Sequence, residues 1–168
     1  MRIRLHTSSE ESETAWAEDC GPAPAPDGAR FVRLGTIPFI HAKPTYGDVI
    51  VVAPDGPGGL LAWDSEGGSY RQVAEGLIED GGRFTVVLDY DVASPAVDPD
   101  AAYRALERAC EGADIALETC FGPWDGEPGR VYLAVPGALS VEEVLAFLAG
   151  EAVPLTLRLV HPRPRGGR

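Results

Sequence analysis

The chain has 168 residues, of which 45% are hydrophobic and 24% charged, and carries a formal net charge of −12 with a pI near 4.6. That length holds one large domain or two small ones around a real core. The acidity argues against nucleic acid and anionic membranes as partners, because both call for a basic stripe that meets phosphate.

The only basic run is the tail containing Arg163, Arg165 and Arg168. A basic protein partner is favoured electrostatically, although acidity that serves solubility alone is the simpler account. No run approaches the roughly 18 apolar residues of a membrane span. Met1–Leu5 leads straight into polar Thr7–Glu13, without the apolar region of a secretion signal. Cys20, Cys110 and Cys120 are odd in number and form no CxxC pair. Reduced thiols and a cytoplasmic location are expected.

Short strands dominate the first half. Arg2–His6 alternates, with Ile3 and Leu5 on one face. Thr14–Asp19 reads as a strand with Trp16 as its inward anchor. Gly21–Gly28 contains three prolines, which lack N–H donors, and reads as an extended loop. Arg30–Leu34 alternates again. Gly47-Asp48 opens a β-branched strand ending near Val52. Glycine turns at 55–59 and 64–68 separate Leu60–Trp63 and Ser69–Val73. Strands at about 8–12-residue spacing predict a small, strongly bent sheet or barrel over residues 1–76. Glu79–Gly82 reads as the link to the second half.

Residues 83–160 read strand, helix, strand, strand, helix, strand, the ferredoxin-like split βαβ plan. The strands are Arg83–Tyr90, Ile115–Phe121, Arg130–Val135 and Leu155–Val160. Asp98-Pro99 starts the first helix, with Asp as the cap and Pro at the first helical position. Tyr103, Leu106 and Cys110 fall on one face, and Gly112 supplies the stop. Ser140 and Glu143 form a capping box for the second helix, which ends at Gly150. Residues 161–168 read as a basic, disordered tail. The expected fold class is therefore α+β: an N-terminal barrel-like unit and a C-terminal ferredoxin-like domain.

At residues 16–52 a Trp is followed by Thr36-Ile37-Pro38-Phe39 and Tyr46-Gly47-Asp48-Val49. This pattern resembles a bacterial family known as domain of unknown function 4265. That family shows an aromatic-led strand, Asn-Ile-Pro-Phe and a Gly-Asp-x-Val step. A ferredoxin-like half follows, with Val-Pro before a helix, and Val135-Pro136 stands there in this chain. The resemblance spans about residues 14–160. Thr36 replaces the usual Asn, and the proline loop at 22–26 is long. The resemblance implies architecture and no activity.

Chemistry is thinly written in this sequence. His41, Tyr46 and Asp48, with Asp89, are the candidate catalytic groups: an imidazole that titrates near neutrality, and carboxylates at a turn and a strand end. The structural alternative has Pro38 fixing a strand exit, Phe39 plugging the core and Asp48 capping a turn. Asp89 and Asp91 also read as solvated strand-end charges. Phe39, Lys43, Trp63 and Trp124 are the candidate binding residues, Trp124 because it sits at a loop tip. Glu10, Glu11, Glu13, Glu18 and Asp19 form an acidic cluster able to dock a basic partner, or simply a solvated face. His6, His41 and His161 lack metal-ligand spacing, and no dinucleotide or phosphate loop is present, so no metal and no cofactor are expected.

These features favour a non-enzymatic binding or regulatory protein holding a protein or small ligand at the interdomain cleft or the sheet face. The alternative is a cofactor-independent enzyme doing acid/base chemistry on a small metabolite near His41 and Asp48. Self-association into a homo-oligomer is a third role open to the sheets.

Overall fold

A computed structural model describes residues 1–6, 12–25, 27–39, 44–54, 60–62, 76–123 and 127–162. The chain is α+β, with mostly antiparallel sheets, and divides into two compact units, Met1–Arg83 and Phe84–Arg168. Among the described residues no helix is long and apolar enough to cross a membrane. The predicted strand Ser69–Val73 and residues 163–168 lie outside the described residues.

The first unit contains β1 (Arg2–His6), β2 (Ser12–Pro22), β3 (Arg30–Leu34), β4 (Val49–Pro54), β5 (Leu60–Ala62) and β6 (Leu77–Glu79). The sheet order is β3-β2-β1-β5-β4-β6, and β4 also pairs with β3, so the hydrogen-bonded path returns to its start. β1 and β5 are parallel, with Arg4 opposite Leu61. Alternation directs Ile3, Leu5, Ala15, Ala17, Val32, Leu34, Ile50 and Val52 into one cluster. Burying each of the larger side chains contributes about 1.5–3 kcal/mol.

Three expectations fail here. Trp16 faces outward, 58% exposed, while Ala15 and Ala17 face the core. The Arg2 guanidinium lies 5.7 Å from the Trp16 ring centroid. The Gly21-Pro22 step does pair: a bulge after Asp19 lets Gly21 stand opposite Phe31, and Pro22 opposite Arg30. Gly21 absorbs that bulge with φ of 114°. Glu79, expected to begin the link, instead ends a strand, Leu77–Glu79, which pairs with β4 at Val49 and Ile50.

The second unit contains β7 (Arg83–Val92), α1 (Pro99–Gly112), β8 (Ala116–Phe121), β9 (Gly129–Pro136), α2 (Val141–Gly150) and β10 (Leu155–Pro162). Its four-stranded sheet runs β10-β7-β9-β8. Phe84, Val86, Leu88 and Tyr90 of β7, with Val131, Leu133 and Val135 of β9, present one face to Leu106, Cys110, Val144 and Leu148 of the helices. Cys110 is thus a core residue, 1% exposed, and burial pushes its thiol up to about 12, with Glu107 adding to the shift.

Both helix starts follow their sequence signals. The Asp98 carboxylate accepts from the Asp100 N–H, and Ser140 and Glu143 form a reciprocal capping box. The stops differ from expectation. Gly112 and Gly150 are the last helical residues, and the left-handed turn falls on Asp114 (φ 57°) and Ala152 (φ 49°). β10 continues through His161 and Pro162, which stand opposite Val87 and Val86, so those two residues belong to the sheet and not to a tail.

Candidate functional site

His41, Lys43, Trp63 and Trp124 lie outside the described residues. The remaining candidates fall into separate local settings. Tyr46, Asp48 and Phe39 belong to the first unit, and Asp89 to the second.

Asp48 is fully buried. Its Oδ2 accepts from the Thr45 N–H at 2.7 Å, and its Oδ1 accepts from the Gly81 N–H at 2.8 Å. The Asp48 N–H in turn donates to the Thr45 carbonyl at 3.1 Å. Both carboxylate oxygens are therefore engaged by backbone donors, one in the local turn and one 33 residues further on. Gly47, at φ 86°, makes the turn, and Gly81 presses so closely that a Cβ there would lie 2.8 Å from the Gly47 carbonyl carbon. Tyr46 is half-buried, with the Arg83 guanidinium 5.6 Å from its ring centroid. Ile37 and Pro38 are the buried members of the Ile-Pro-Phe step. Phe39 is half-buried, and its N–H donates to Glu13 Oε2 at 2.8 Å.

Asp89 lies on the sheet face opposite the helices. Arg130 of β9 grips it with two bonds, Nε to Oδ1 at 2.7 Å and an Nη to Oδ2 at 3.2 Å. The carboxylate side chain is 13% exposed, so it is not a solvated strand-end charge. The same bond holds the Arg130 guanidinium above its ordinary value. Asp91 is exposed and accepts from the Val92 N–H. In the acidic cluster, Asp19 is taken by Arg30 and by the Gly21 N–H, and Glu13 by the Phe39 N–H. Among the described residues no cluster of three His, Cys, Asp or Glu side chains could hold a metal.

A cavity of about 370 Å³ opens in the second unit where the end of β7, the first turns of α1 and the end of β8 meet. Tyr90, Tyr103, Asp100, Arg104 and Thr119 contribute its polar groups, with Val92, Pro99 and Pro123 between them. Tyr90 is placed by the glycine that begins β9. A Cβ on Gly129 would lie 2.5 Å from two ring carbons of Tyr90, so the ring rests directly on bare backbone. Tyr103 meets Tyr90 with ring centroids 5.9 Å apart and planes tilted by 40°. Burial first, and the Glu107 carboxylate second, push the Tyr103 phenol up to about 12, so it remains protonated at neutral pH. Arg104 reaches toward Asp98, with 4.0 Å between guanidinium and carboxylate. Thr119 Oγ1 donates to the Arg130 carbonyl.

Sequence reading passed over this cavity. Tyr103 stood out only as one of three core-facing positions on α1, and Tyr90 only as the residue between two aspartates. The signal available was Asp98-Pro99, which fixes where the first turn of α1 begins and hence which side chains stand at the end of β7.

No protein-family model matches the chain, and no curated protein matches it. Among solved structures it is similar to one described as a novel crystal structure of a hypothetical protein from Neisseria gonorrhoeae. The identity is 15%, the alignment covers 94% of this chain and 93% of the other, and the TM-score is 0.46.

Proposed function

We propose that this chain is a non-enzymatic, cytoplasmic binding or regulatory protein that holds a small ligand in the cavity of its second unit. The observation that carries this reading is the cavity itself: a concave site with two tyrosine rings and a few polar groups at its edge, the usual composition of a ligand pocket. The Tyr103 phenol, protonated at neutral pH, supplies a hydrogen-bond donor there. The acid/base alternative near His41 and Asp48 has less support. Asp48 already accepts two backbone N–H bonds, and Asp89 is held by Arg130, so both carboxylates are engaged within the protein.

The finer architecture belongs to the same proposal. The element order of the second unit and its sheet order β10-β7-β9-β8 support a ferredoxin-like domain. The return pairing of β3 with β4 supports a barrel-like first unit. Buried Ile37 and Pro38 and the Gly47-Asp48 turn support membership of the domain of unknown function 4265 family, because they give its short motifs a structural reason.

Thermal unfolding of the full chain against a metabolite panel tests the binding reading. A ligand at a hundredfold excess over its dissociation constant stabilises the native state by about 2.7 kcal/mol. The expected result is a hit that raises the melting temperature of the wild type and not of Tyr103→Leu. A panel flat for both proteins, or a hit untouched by Tyr103→Leu, overturns the assignment to this cavity.

A further inference from the structure

Resting on the ligand-binding reading above, we infer that the cavity takes an organic cation, an alkyl- or arylalkylammonium group seated against Tyr90 and Tyr103. Tyr90 and Tyr103 both line the cavity, with ring centroids 5.9 Å apart and planes tilted by 40°, and ring faces attract positive charge. The surrounding charge has the same preference. Asp100 lines the cavity, and Asp98 stands two residues before it at the start of α1. Arg104 is the one cation on the described lining, and its guanidinium is turned to the Asp98 carboxylate.

An anionic ligand meets the opposite conditions. The start of α1 would be its natural seat, since helix N-termini present free N–H groups and a positive dipole end. That seat already holds protein carboxylate: Asp98 accepts from the Asp100 N–H at 3.1 Å. A second anion would also face Asp100 within a chain of net charge −12. A neutral ring would fill the space without using the field. The cation alone uses both the rings and the acids.

The test employs one ring with three charges. Benzylammonium, benzyl alcohol and benzoate are titrated into the ¹⁵N-labelled full chain, and the amide shifts of Tyr90, Tyr103 and Thr119 are followed by NMR. The inference expects benzylammonium to bind about tenfold more tightly than benzyl alcohol, with benzoate weakest. Tyr103→Phe, which keeps the ring face, retains the order, and Tyr103→Leu removes it. Asp100→Asn, at an exposed position, weakens benzylammonium several-fold and leaves benzyl alcohol unchanged. Equal affinities for the three probes, or benzoate binding best, overturn the cation and leave the ligand site standing. Absence of shifts at the cavity with every probe at millimolar concentration overturns both.

Discussion

Asp48 and Asp89 look alike in the sequence, each a carboxylate beside a strand, and the two units use them in opposite ways. In the first unit Asp48 is buried with both oxygens on backbone N–H groups, Thr45 and Gly81. In the second, Asp89 lies in a sheet and answers to a side chain, the Arg130 fork. Each has an exposed counterpart. The Ser140–Glu143 box serves backbone donors at a helix start, and Asp19 pairs with Arg30 on the surface. The difference teaches that a carboxylate's role follows from its donors and their burial. A backbone N–H stranded by mutation has nowhere to go, whereas a guanidinium can swing back to water.

That contrast ranks four expected outcomes. Asp48→Ala strands two donors and should lower stability by about 4 kcal/mol, read as a shift in the urea midpoint at unchanged slope; a loss under about 1 kcal/mol would erase the distinction from Asp89. Asp89→Ala breaks a partly buried charge-assisted pair and should cost about 2 kcal/mol. A double-mutant cycle with Arg130→Ala should return most of that figure as coupling. Ser140→Ala removes an exposed cap and should cost about 1 kcal/mol, with hydrogen exchange rising at the first turn of α2.

Asp19 is the smallest case and the one that depends on pH. Arg30's hydrogen bond first, and the Gly21 N–H second, hold its carboxyl below the ordinary carboxylate value. A depressed folded value means that its contribution is present at neutral pH and fades as pH falls through that value. The pair lies at the surface, so salt screens it. A ¹³C titration of the Asp19 carboxyl should show the low midpoint, and Arg30→Gln should raise it toward the ordinary value; no movement would mean the pair is not formed in solution.

Local signals made the helices of the second unit legible. Asp98-Pro99 and Ser140-x-x-Glu143 each specify backbone donors that need a partner, and such chemistry is written within four residues. Their ends were less so, since Asp114 and Ala152 take left-handed conformations that sequence assigns to glycine. Trp16 was misread because size was allowed to outweigh phase. Thr14, Trp16 and Glu18 share one parity and Ala15 and Ala17 the other, and two small residues suit a tightly closed interior. β6 is three residues long and pairs across a register shift, too short for any period to register. The cavity draws its lining from the end of β7, the start of α1 and the end of β8, stretches far apart in sequence that only the fold brings together.

β10 lies beside β7, and the last pair in that ladder sets Pro162 opposite Val86. The polypeptide therefore enters and leaves the second unit through the same doorway. Modules with adjoining ends are the ones that survive circular permutation and insertion into a host loop. A short linker from Pro162 back to Phe84, with new ends cut elsewhere on the surface, would keep all four strands in order.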